Sequence, residues 1–137
     1  MTSFQQYYKG SFTSALRWHQ LDDLWEKTVA QPDGWYIYHI GRKPPTEPTN
    51  KKTLTQFIQK VDKILHQEHK YDYCGIVYAD NKETPAMIKI FDPKNLGVVC
   101  GTGKAIIHPR WLLTRILPES IEIKTEIKYK RWLPFWN

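Results

Sequence analysis

The clearest pattern along the chain is a three- and four-residue repeat of apolar side chains from Leu54 to Leu65. Leu54, Phe57, Ile58, Val61, Ile64 and Leu65 share one face of a helix at that spacing. Gln56, Gln59, Lys60, Asp62, Lys63 and Gln67 then face water. Thr53 and Gln56 have capping-box spacing, so the pattern predicts a helix starting at Thr53. It fades from His66 to Lys70, where positive charge suits the C-terminal end of the helix dipole. A weaker repeat of Leu16, Leu21, Leu24, Trp25 and Val29 predicts an earlier helix. It would start at Thr13, with the Thr13 or Ser14 hydroxyl as cap, and stop at Pro32-Asp33-Gly34. Before it, Phe4, Tyr7, Tyr8 and Phe12 show no period and read as an arm.

Between and after these helices the pattern changes to strands. Trp35 to Ile40 is rich in aromatic and β-branched residues without strict alternation, which suits a strand covered on both faces. Tyr71 to Ala79 and Ala86 to Pro93 flank the polar loop Asp80 to Pro85 and read as a β-hairpin. A turn at 92–97 leads into a short apolar strand, Val98 to Cys100. Arg110 to Leu117, opened by Pro109 and stopped by Pro118, reads as a short helix. Ile121 to Arg131 alternates cleanly, with Ile121, Ile123, Thr125, Ile127 and Tyr129 on one side, and predicts a strand with one wet face.

This order predicts an α+β fold: one domain over residues 1–137, built on a mainly antiparallel sheet of about four or five strands with helices packed on one face. The strand–helix–strand unit from Trp35 to Ala79 has the form of a right-handed crossover, which would add one parallel pair. At 137 residues such a domain buries roughly two-thirds of its unfolded surface, so folding calls for no disulfide or metal.

Composition adds two things. Six Trp, eight Tyr and five Phe are many for a core of this size, and surplus rings at a surface often anchor partners. The net charge of +6 lies in two blocks. Residues 40–70 and residues 101–137 each carry seven Lys or Arg against three acids, and the remainder is slightly acidic. A shared basic face would suit an acidic protein, nucleic acid or anionic lipid, and separated blocks would be solvated faces. The N-terminal residues have no apolar run or cleavage signal, and no stretch of eighteen apolar residues spans a membrane. With two cysteines and no disulfide framework, the expected location is cytoplasmic.

Candidate chemistry is sparse. Cys74 and Cys100 sit on expected strands, and a reactive thiolate needs a cation or helix N-terminus that the sequence does not place. His66 and His69 have helical spacing but lack the further ligands a metal site needs, and His39 on an aromatic strand reads as a core residue. Gly101-Thr102-Gly103-Lys104-Ala105 fails as a phosphate loop, because Val98 replaces the first glycine and Ala105 the magnesium-binding hydroxyl. Arg42-Lys43-Pro44-Pro45-Thr46-Glu47-Pro48 fits both a polyproline ligand and a stiff connector. No cofactor or metal site is expected.

The favoured expectation is a protein-interaction or accessory module, more a binder than an enzyme, with an acidic protein as partner. Its basic, aromatic contact surface would comprise Arg42, Lys43, Lys51, Lys52, Lys128, Lys130, Arg131, Trp132, Phe135 and Trp136. The alternatives are nucleic-acid binding through blocks 42–52 and 124–132, where cations interleave with rings, and a small enzyme using a Cys/His pair.

Overall fold

The computed structural model describes residues 1–72, 74–95 and 107–121. The expected strand Val98 to Cys100, the loop Gly101 to Ala105, most of the alternating strand and the aromatic terminus lie outside these residues.

The chain opens with helix α1, Ser3–Tyr8, where the sequence suggested only an arm. A capping box forms it: the Thr2 hydroxyl accepts from the Gln5 N–H (3.2 Å), and the Gln5 side chain accepts from the Thr2 N–H (3.1 Å). The next helix begins later than expected. Thr13–Ser14 form strand β1, Leu16 is exposed, and α2 spans Trp18–Ala30. Neither Thr13 nor Ser14 caps it. The Gln20 side chain instead accepts from the Arg17 N–H at its start (2.9 Å). Strand β2 is Tyr36–His39. Arg115 fixes its entry by donating to the carbonyls of Gln31 and Asp33 while stacking over Trp35.

Helix α3, Lys51–Glu68, starts one residue after Asn50, whose side chain accepts from the Thr53 N–H (2.8 Å). The Thr53–Gln56 capping box is therefore not used. Asn is the stronger N-cap, and starting there adds two residues to the helix. The hairpin forms, but with shorter arms than the expected Tyr71 to Ala79 and Ala86 to Pro93: β3 is Val77–Ala79 and β4 is Met87–Ile90, and Asp80 closes it by accepting from the N–H groups of Ala86 and Met87. A 3-10 turn follows at Pro93–Asn95. The expected helix from Arg110 is instead strand β5, Trp111–Thr114, with all four residues buried. A short apolar run between prolines has no period that separates a buried strand from a buried helix, and here the sheet supplied a vacant central position.

The five strands form one sheet in the order β1-β3-β4-β5-β2, and every neighbouring pair is antiparallel. The α+β expectation with a mainly antiparallel sheet therefore holds. The parallel pair does not form, because β4 and β5 separate β2 from β3. The period of two in each strand sends alternate residues to opposite faces. Val77, Ala79, Ile88, Ile90, Trp111 and Leu113 meet Leu21, Leu24, Leu54, Ile58, Val61 and Leu65 of the two long helices in the main core. Tyr38, Met87 and Leu112 face the other way and meet Phe4 of α1. The long helices thus share one face, and α1 covers part of the second. Among the described residues, no helix is long and apolar enough to cross a membrane.

Candidate binding groove

Among the described residues, strand β2 lies at the edge of the sheet, and the chain reverses directly after it. The Arg42 N–H donates to the His39 carbonyl (3.1 Å), and Gly41 at φ +96° makes that turn. The loop that follows contains Pro44, Pro45 and Pro48, which restrict its backbone to extended shapes and leave no N–H at three positions. It returns to the sheet at Thr49, whose N–H donates to the Trp35 carbonyl (2.7 Å), and then enters α3 at Asn50.

A groove of about 580 Å³ lies between these elements. Ile37 and His39 of β2 form one wall, Pro45, Glu47 and Pro48 the other, and Gln56, Phe57 and Lys60 of α3 the floor. Its volume falls within the range of about 300–1,000 Å³ typical of ligand sites. Phe57 is held edge-on between His39 and Trp111, both with ring centroids 6.2 Å away. The Arg110 guanidinium sits 4.1 Å over Trp111 and is also 3.6 Å from Asp92. Asp92 is 2% exposed, and burial pushes its carboxyl up. The N–H of Lys94 donates to one oxygen, and the Arg110 charge opposes the shift.

The charges that act on His39 are all positive. Desolvation of the imidazole holds His39 below its ordinary value, and the charges of Arg42, Arg110 and Lys60 push the same way. His39 is exposed, so water screens the three cations and moderates the shift. Glu47 is the one acid among the lining residues.

Of the residues expected to bind, Arg42 and Lys43 are exposed at the start of the loop, and Lys51 and Lys52 are exposed in the first turn of α3. None of the four lines the groove itself; they lie in the chain segments on either side of its proline wall. Lys128, Lys130, Arg131, Trp132, Phe135 and Trp136 lie outside the described residues. Lys60, His39 and Arg110 were not among the expected contacts. The sequence did hold a signal for Lys60, since positions 53, 56, 57 and 60 share one strip of α3 beside the apolar stripe. Nothing local places Arg110 there, because its position depends on β5 pairing with β2.

Other candidates sit elsewhere. Cys74 is fully buried, its thiol is pushed up by desolvation, and the nearby Asp62 charge raises it further, the reverse of what a nucleophile needs. His66 stacks on Trp18 at 3.9 Å, and His69 is buried beside Trp18 and Tyr71. Among the described residues, no group of three or more side chains could hold a metal. On the α1 side, the Lys89 ammonium donates to the Tyr8 carbonyl (2.7 Å) and lies 4.2 Å and 4.1 Å from the Tyr8 and Phe12 rings. Burial holds it at about 8. That amine ties the last turn of α1 to the sheet and is filled by its own neighbours.

No protein-family model matches the chain, and comparison with curated proteins and with solved structures likewise finds no match.

Proposed function

We propose that this protein is a cytoplasmic docking module that binds an acidic protein partner in the groove between β2, the proline loop and α3. The observation that carries the reading is that Lys60 lines the groove with His39 and Phe57, while Arg42 bonds the His39 carbonyl in the turn and Arg110 pairs with the neighbouring Ile40. Cations so placed steer an acidic partner and penalise a basic one, and a fixed aromatic ring supplies the anchor. The buried thiol of Cys74 weighs against thiol catalysis. Nucleic-acid binding remains the second reading, favoured by the exposure of Arg42, Lys43, Lys51 and Lys52. Phe57 is less suited to base stacking, because it is half-buried and engaged by two other rings.

Competitive titration separates these readings. A labelled acidic peptide selected on the folded protein is expected to weaken at least tenfold with Arg42→Glu or Lys60→Glu. Oligothymidylate should not displace it at equal concentration. Displacement by oligothymidylate, or indifference to both reversals, would overturn the proposal.

A further inference from the structure

The outer edge of β2 carries backbone groups that nothing in the described structure uses. Strand β2 pairs with β5 residue by residue, from Tyr36 opposite Thr114 to His39 opposite Trp111. Backbone groups in such a ladder point alternately toward and away from the neighbour. The Ile40 N–H donates to Arg110 on the β5 side, while the Trp35 carbonyl accepts from Thr49 on the opposite side. Tyr36 and Tyr38 therefore turn inward to β5, and Ile37 and His39 turn outward. The His39 carbonyl is taken by Arg42. Among the described residues, this leaves the Ile37 N–H, the Ile37 carbonyl and the His39 N–H without a hydrogen-bond partner.

We infer that the acidic partner enters the groove as an extended segment and adds a short strand to the outer edge of β2. The inference rests on the docking reading and specifies its geometry. In an antiparallel pairing, one partner residue opposite Ile37 would exchange both bonds with it, and the carbonyl of the partner residue two places before would accept from the His39 N–H. Alternate side chains of the added strand would reach Phe57 and Ile37, and carboxylates to either side would meet Arg42 and Lys60. The proline loop forms the far wall of the same groove and meets the edge at Thr49, whose N–H takes the Trp35 carbonyl. Pro44, Pro45 and Pro48 lack the donors that a pairing strand needs. An unguarded edge usually invites unspecific pairing. Here the surrounding cations repel a second copy of this basic edge and admit an acidic strand.

The test uses a display library of random 12-residue segments selected on the folded protein, followed by amide exchange with the best binder. The expected binders carry an apolar residue between acids. Binding should slow exchange of the Ile37 and His39 amides at least tenfold. N-methylating alternate peptide positions should weaken binding at least tenfold, while N-methylating the intervening positions should not. Ile37→Pro removes the outward donor and leaves the β5 ladder intact, so it should weaken binding in a protein with unchanged circular dichroism. The peptide arm keeps the test decisive if that variant fails to fold. Acidic binders that respond to Arg42→Glu but neither protect these amides nor sense N-methylation would overturn strand addition and leave docking standing. Selection of no binder, or of basic ones only, would overturn both.

Discussion

Desolvation and three nearby cations hold His39 below its ordinary value, and this gives the groove a pH response of definite sign. Arg42 from the turn, Arg110 from the approach to β5 and Lys60 from α3 all oppose its protonation, and Glu47 is the acid that lines the same groove. Because the folded value lies below the ordinary 6.5, the unfolded chain takes up the proton first as pH falls. Stability is therefore lost as pH falls below 6.5, and His39→Gln should remove that part of the loss in denaturation curves. An acidic ligand supplies the missing counter-charge, so its affinity should rise over the same interval and stop doing so in His39→Gln. Lys89 responds at the other extreme. Burial holds it at about 8 against 10.5, so the unfolded chain retains the proton between these values and the folded chain does not. Stability should rise with pH across that window, and Lys89→Met should flatten the rise. The sequence exposed neither response. His39 read as a core histidine, and nothing near Lys89 in sequence announces Tyr8 or Phe12.

At the scale of elements, α3 begins against its own electrostatics. Its first turn holds Lys51 and Lys52 and no acid, at the end where the helix dipole favours negative charge. Lys51→Glu or Lys52→Glu should each stabilise the protein by about 0.3–1 kcal/mol in thermal or urea unfolding and weaken the acidic ligand. Gain of stability with unchanged affinity would mean that these lysines take no part in docking. Asn50→Ala should cost about 1 kcal/mol, since it frees the Thr53 N–H from its cap. The apolar stripe of α3 was legible because a long amphipathic helix repeats its signal over several turns. Its first residue was less so, since Asn50 and Thr53 are both good caps and only the return of Thr49 to the sheet chose between them. Strand β5 was misread for a related reason: four buried residues show no alternation.

The whole molecule depends on that misread strand. β5 lies between β4 and β2, with Leu113 in the core under the long helices and Leu112 in the cluster beneath α1. Leu112→Ala or Leu113→Ala should each destabilise by about 2–5 kcal/mol in urea denaturation, because both faces of the sheet meet there. Loss of Leu113 should also loosen the groove, through Trp111 and Phe57. The amino-acid pattern alone determined the two long amphipathic helices, the hairpin, the α+β class and the surplus of positive charge. Each is written in neighbouring residues at a fixed period. Only tertiary structure decided the strand order, the burial of Cys74, the edge position of β2 and the meeting of Arg42, Lys60 and Arg110 around His39. Those depend on contacts between residues as far apart in the chain as Tyr36 and Thr114, which pair across β2 and β5. No local periodicity records such a contact.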